Sequence, residues 1–350
     1  MAGAPIRIGV LHDTAAGPPG VSDIGHWLRL AVDELIDADR IDRPVQFIDG
    51  WGLGLPQGSA AAVERAYAGL AEQDVLMIVG PAVGDNALVA TPLAERFRIP
   101  TINWAGAERA RSDYMFHLQV GSHEDESLVI ARHFAGLGAR RLGVVHDRSV
   151  IGRRHLAYLQ AEADLVGVNL AAVRGIAPLA ESAEAEVAAV LDAGLDGLVY
   201  LGLGVCTPAV SRALAARGWD GPRAINTAGL RGYHPDFAEA LDGWAYVDMH
   251  ADDNRTLNAF VARLGLPQAR RLAAAKGYDL GRLTAEGIAR APELTRDGLK
   301  EGLEQVKWLP AAEGYEGTLL GFGIQDRGAL HGRYLVMRRW TAGRSVEARA

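Results

Sequence analysis

Cysteine is almost missing from this chain: its 350 residues include one, Cys206. A single thiol cannot close a disulfide within the chain and brings none of the companions a metal site needs, so Cys206 reads as a small buried core residue and no metal is expected. Long hydrophobic runs are also lacking. None reaches the ~18 to 20 apolar residues of a membrane span, so the chain is not expected to cross a membrane. Positive charge is in deficit, with 36 Lys and Arg against 43 Asp and Glu and a net charge of −7. The arginines are scattered, which argues against a phosphate-backbone footprint and removes nucleic acid from the expected partners. Catalytic signatures are absent as well: no G-x-S-x-G elbow, no P-loop, no H-E-x-x-H. The stretch "LGLGVCT" (201–207) supplies Gly202 and Gly204, but Thr207 stands where a dinucleotide fingerprint needs its third glycine, and no acidic residue follows at the expected distance. Neither catalysis nor a cofactor is expected.

What remains is the composition of a folding globular chain, 49% apolar and 23% charged, and long enough for two cores. Short β-branched runs alternate with segments of helical period, the signature of βαβ units and parallel sheets. "IRIGVLHD" (6–13), "PVQFID" (44–49), "VLMIVG" (75–80) and "PTINW" (100–104) read as strands. Helices are expected at 22–38, starting from Ser22 or Asp23, at 59–73 and from about Asp85 to Phe97. The pattern restarts near Ser122 with a capped helix, the strand "RLGVVHD" (141–147), helices at 152–166, 181–193 and 207–217, and the strands "LDGLVYLG" (195–202) and "RAINT" (223–227). Three helical stretches and a hairpin-like tail close the chain. Because open parallel sheets bind ligands beyond the carboxyl ends of their strands, the candidate lips are 12–20, 80–86, 103–109, 146–152, 202–207, 227–231 and 248–253. The first strand begins at about Pro5, so no secretory signal is expected in this chain.

The order of these pieces resembles the type I periplasmic binding proteins, specifically the branched-chain amino acid/amide (Leu/Ile/Val-binding-like) group that serves ABC importers. The matching stretches include "IRIGVLHDTAAGPPG", "LMIVGPAVGDNALVATPLAERFRIPTIN", "ARHFAGLGARRLGVVHDRSVIGRRHLAYLQAEADLVG" and "YEGTLLGFGIQDRGALHGRYLVMRRW". The resemblance implies an α/β fold of two Rossmann-like lobes joined by three crossovers, with a small-molecule ligand trapped at the hinge cleft by domain closure. It implies a first lobe of 1–121 plus 252–331 and a second of 122–251 plus 332–350. The expected partner is an ABC transporter permease. On the alternative reading, a cytoplasmic sensor like the amide-responsive regulators of this fold, it is a regulatory protein. Localisation follows the same division: cytoplasmic if Met1 is the native start, periplasmic or extracellular and membrane-anchored if a signal was removed.

The candidate ligand residues, at the strand exits that the resemblance turns toward the cleft, are Asp13, Val83, Gly84, Trp104, Ala105, Ala107, Glu108, Ile151, Leu203, Ala228 and His250. The resemblance also implies that "LGLGVCT" serves a close backbone approach at the cleft. Amino-acid binders grip an α-carboxylate with hydroxyls and backbone amides after the third and fourth strands; this chain has Ala82, Val83 and Gly84 at the first and Ala107 at the second. Where relatives pair the α-ammonium with an acid, Ala228 stands, and Ile151 replaces an aromatic. Leaving an ammonium unpaired costs several kcal/mol, so a zwitterionic amino acid is not expected as ligand. Trp104, Val83, Ile151 and Leu203, with Trp51 and Met249, suit an apolar or aromatic body. The polar handle stays open among Asp13, Asn103, Glu108, Arg109, His146 and His250.

Overall fold

Ile6, Ile8, Val10 and Leu11 of the first strand, β1 (Ile6–Leu11), are all buried in the computed structural model, which describes residues 4–13, 24–51, 59–267 and 271–348. A strand apolar on both faces belongs inside a parallel sheet covered on both sides, and β1 sits there. The chain divides into two compact units, Met1–Val120 with His250–Tyr334 and Gly121–Met249 with Leu335–Ala350.

In the first unit β1 is followed by α1 (Ile24–Asp37), β2 (Val45–Gly50), α2 (Ala60–Ala71), β3 (Met77–Val79), α3 (Gly84–Phe97), β4 (Thr101–Asn103) and β5 (Met115–His117). The five strands are parallel in the order β2-β1-β3-β4-β5. Strand order therefore reverses beside β1, where β2 lies on one side and β3 on the other. Ser59 caps α2, its side chain accepting the N–H of Ala62.

The second unit runs α4 (Glu126–Gly136), β6 (Arg141–Asp147), α5 (Val150–Glu162), β7 (Asn169–Ile176), α6 (Glu184–Leu191), β8 (Gly197–Leu201), α7 (Thr207–Ala216), β9 (Arg223–Ile225), a short α8 (Pro235–Ala238) and β10 (Ala245–Asp248). The first unit then resumes with α9 (Arg255–Leu264), α10 (Arg271–Arg290), α11 (Arg296–Glu304) and a small antiparallel sheet of β11 (Leu309–Pro310), β12 (Leu319–Leu320) and β13 (Leu330–His331). Finally β14 (Val336–Thr341) and β15 (Arg344–Glu347) complete the second sheet, ordered β15-β14-β10-β9-β8-β6-β7. Its β6 to β10 are parallel, and β14 runs antiparallel to β10.

Two strands escape the periodicity reading. β5 is three residues long, and β7, "NLAAVRGI", is an edge strand with little burial before Ile176, so neither shows a strong apolar pattern. The hairpin-like tail proves to be two structures, the β11–β13 sheet of the first unit and the β14–β15 ribbon of the second. The helix expected at 152–166 begins at Val150, capped by the Ser149 side chain, and ends in a 3₁₀ turn at Ala163–Val166. The expected helix start at Ser22 or Asp23, most of the lip at 12–20 and residues 268–270 of the second closing helical stretch lie outside the described residues.

Candidate functional site

Helix α3 opens without a side-chain cap of its own: its N-cap is Val83, which offers none. The first-turn N–H groups of any helix need acceptors, and here an acid from another strand supplies them. Asp13, just beyond β1, accepts the N–H of Val83 at 3.2 Å and that of Ala82 through Oδ2, and Asn86 Nδ2 at 2.5 Å through Oδ1. The contact is possible because β1 and β3 are sheet neighbours. Burial pushes the Asp13 carboxyl above its ordinary value, against the weaker downward pull of Asn86, Ala82 and Val83.

Around this centre the other strand exits of the first unit converge. Trp104 N–H donates to Pro81 O at 3.1 Å, tying the end of β4 to the end of β3, and the indole is half-buried against the core. His12 bonds Asp49 at 2.8 Å through Nε2 and stacks on Trp51 with ring centroids 3.8 Å apart. Asn103 is buried and spends its amide N–H groups on Ala110 O and Phe116 O. Gly84 is the buried first residue of α3. Ala105 and Ala107 turn inward, packed with Ala87 and Ala110 in a small alanine cluster. Glu108 is half-buried and Arg109 exposed. His250 is 1% exposed and forms a β-bridge with Gly314, away from solvent.

The second unit repeats the device. Asp147, the last residue of β6, accepts Leu203 N–H at 2.6 Å through Oδ2, and Ser149 N–H at 3.2 Å and the Ser149 hydroxyl through Oδ1. One fully buried carboxylate thus holds both the α5 entrance carrying Ile151 and the loop carrying Leu203. Gly202 is required here: its φ is +149°, and a Cβ would lie 2.0 Å from Asp147 Oδ2. This is the close approach expected of "LGLGVCT", with Asp147 as the group approached. Ala228 follows β9, and a Cβ added to Gly204 would meet it at 2.9 Å. Ile151, Leu203 and Ala228 are all half-buried.

Behind them lies a polar cluster. Glu126, fully buried, accepts Thr227 N–H at 2.7 Å, Ser122 N–H at 2.8 Å and the Thr227 hydroxyl at 3.1 Å. Burial outweighs these donors and pushes its carboxyl up to about 7. Asn226 Oδ1 accepts Gly202 N–H at 3.2 Å, so its amide nitrogen donates, to Gly202 O and to His155 Nε2 at 3.2 Å. His155 is therefore neutral with its proton on Nδ1, and burial holds it well below the usual imidazole value.

Asp147, Glu126, Asn226 and His155 were not among the sequence-read candidates, yet a signal existed. β1 runs out into "GVLHD" (9–13) and β6 ends in "GVVHD" (143–147); β4 ends in "IN" at Ile102–Asn103, and β9 runs out into the same pair at Ile225–Asn226. The repeated His-Asp marks equivalent carboxylates at equivalent strand exits. Among the described residues no group of His, Cys, Asp and Glu could hold a metal ion, and no helix is long and apolar enough to cross a membrane.

A sequence model of the family described as periplasmic binding protein matches residues 5–340. None of the curated proteins compared matches the chain. Among solved structures, an ABC transporter substrate-binding protein from Desulfitobacterium hafniense in complex with Leu superposes with a TM-score of 0.80 at 16% identity, over 99% of this chain and 100% of that one. A type 1 periplasmic binding protein from Bordetella pertussis gives 0.79 at 17% identity, over 99% and 100%. A leucine-binding protein from Thermotoga maritima gives 0.76 at 15% identity, over 98% of each chain. At such identities the likeness is one of fold.

Proposed function

Because this chain belongs to the periplasmic binding protein family, we propose that it is the solute-binding protein of an ABC importer, and that its ligand is a small organic molecule, apolar or aromatic, rather than a free α-amino acid. On this reading the protein works outside the cytoplasmic membrane, binds without catalysis, and passes its ligand to a permease. The importer role is supported by the substrate-binding proteins whose fold it shares.

The ligand class rests on Asp13. Backbone N–H groups at a helix start are a ready site for a carboxylate. In this chain those of Ala82 and Val83 already hold the chain's own carboxylate. A ligand α-carboxylate arriving there would find its donors occupied and an acid in its place, and like charges at contact distance repel by several kcal/mol in a partly buried site. Beside Asp13, the half-buried Trp104 offers a flat apolar wall.

A thermal-shift panel followed by titration calorimetry, comparing amino acids, amides and aromatic or alicyclic compounds, tests the reading. Stabilisation by an aromatic or alicyclic compound supports it. Micromolar binding of leucine or valine overturns it.

A further inference from the structure

A cavity of about 330 Å³ opens on the first unit among α9, α10 and β11, away from the strand exits. That size falls at the lower end of the ~300–1,000 Å³ typical of small-molecule sites. Its wall is built from Phe260 and Tyr278, stacked with centroids 4.0 Å apart, and from two guanidinium groups, Arg263 and Arg282, each beside the Tyr278 ring at 5.8 and 5.5 Å. Ala259 and Thr256 of α9 form the remaining rim.

The charge is arranged unevenly. Arg263 Nη2 donates to Glu34 Oε1 at 2.5 Å, and Arg282 Nη1 donates to Asp279 Oδ1 at 3.2 Å and Pro310 O at 2.6 Å. Neither carboxylate lines the cavity. Asp279 is fully buried and spends its other oxygen on the N–H groups of Ala312 and Glu313, while Glu34 also accepts the Tyr278 hydroxyl at 2.9 Å. The counter-charges thus stand behind the wall and fix the two arginines in place. Nε and Nη2 of Arg282 make no hydrogen bond among the described residues, and Arg263 is held by Glu34 with a further side-chain interaction with Tyr278.

We propose that this cavity is a second ligand site, taking a small planar carboxylate that carries an apolar ring. The remaining N–H groups of two pre-positioned guanidiniums match a carboxylate, and a planar ring matches the aromatic wall. The site is independent of the Trp104 lip. An amide isostere lacks the charge that the arginines read, and is refused.

Benzoate and benzamide are the probes, titrated by calorimetry and by ligand-observed NMR into the wild type, Trp104→Ala, Arg263→Gln and Ala259→Trp. Ala259 is exposed on α9, one turn before Arg263 on the cavity rim, so the Ala259→Trp side chain fills the cavity and leaves both guanidiniums in the chain. Benzoate is expected to bind wild type and Trp104→Ala alike, and to weaken at least about tenfold in Arg263→Gln and Ala259→Trp. Benzamide is expected not to bind. The proposal falls if benzoate does not bind, if benzamide binds equally well, or if Ala259→Trp and Arg263→Gln bind benzoate as the wild type does.

Discussion

The carboxylate of Asp13 lies 3.2 Å from the backbone nitrogen of Val83 and serves as the first-turn anion of α3. Its acid comes from 70 residues earlier in the chain, so one side chain both finishes a helix and fills what would otherwise be an anion cradle.

Asp13→Ala is therefore expected to do two things. Stability falls by about 1 kcal/mol, the size of a lost helix cap, as read by urea unfolding. The vacated N–H groups also gain measurable affinity for carboxylates such as acetate or leucine, as read by calorimetry. A folded variant as indifferent to carboxylates as the wild type would remove Asp13 from any role in selectivity.

Trp104→Ala is expected to weaken binding of whichever aromatic or alicyclic compound the panel selects by at least ~1 kcal/mol, the scale of a buried aromatic anchor. Calorimetry with the folded variant decides it. Unchanged affinity relegates the indole to packing.

Glu126 gives the second unit a pH dependence of known sign. Its folded value of about 7 lies above the ordinary 4.5. Its contribution to stability is therefore complete below about 4.5 and is lost as pH rises through 7. Asp279, pushed up to about 6 by burial, acts in the same direction in the first unit. His123 acts in the opposite direction: burial lowers it to about 4, so its contribution is present above the ordinary 6.5 and lost as pH falls through about 4. Comparing Glu126→Gln with the wild type isolates the one group. Relative to wild type, the variant is expected to gain on the order of 3 kcal/mol between pH 4.5 and 8. Denaturation curves that shift in parallel with pH would sink this assignment.

Gly202→Ala is expected to cost at least ~2 kcal/mol, since φ +149° and the Asp147 carboxylate both oppose a side chain. Gly138→Ala is the control: it also has a positive φ, +80°, but a Cβ there meets nothing within 4 Å. Thermal unfolding should separate the two. Equal losses would mean that backbone strain alone, and not the approach of Asp147, fixes Gly202.

The α/β architecture was legible because its central strands carry their burial in their composition. "IRIGVL" and "GLVYL" are apolar enough to be placed with no knowledge of their neighbours. β7 was not legible, because an edge strand of Ala, Arg and Gly has no buried face to advertise. At the strand exits, Trp104 and Asp13 stood out as residue types. What they touch did not, because Asp13 reaches Ala82 and Val83 only through the adjacency of β1 and β3, which local periodicity does not encode. The inward turn of Ala105 and Ala107 was equally hidden: outside a regular strand, alternation no longer tells inside from outside.

The pairing of β10 with β14 sets an order of events during synthesis. Residues 245–248 lie exposed on one edge until residues 336–339 arrive to pair with them, and the whole α9–α11 stretch of the other unit is made in between. A ribosome must therefore deliver residues 336–339 before the β10 edge of the second sheet is covered. Such an edge invites pairing with other chains while it waits. Truncation just before β14 would leave a nearly complete sheet with a permanent template for aggregation, even though every strand-exit residue described above would still be present.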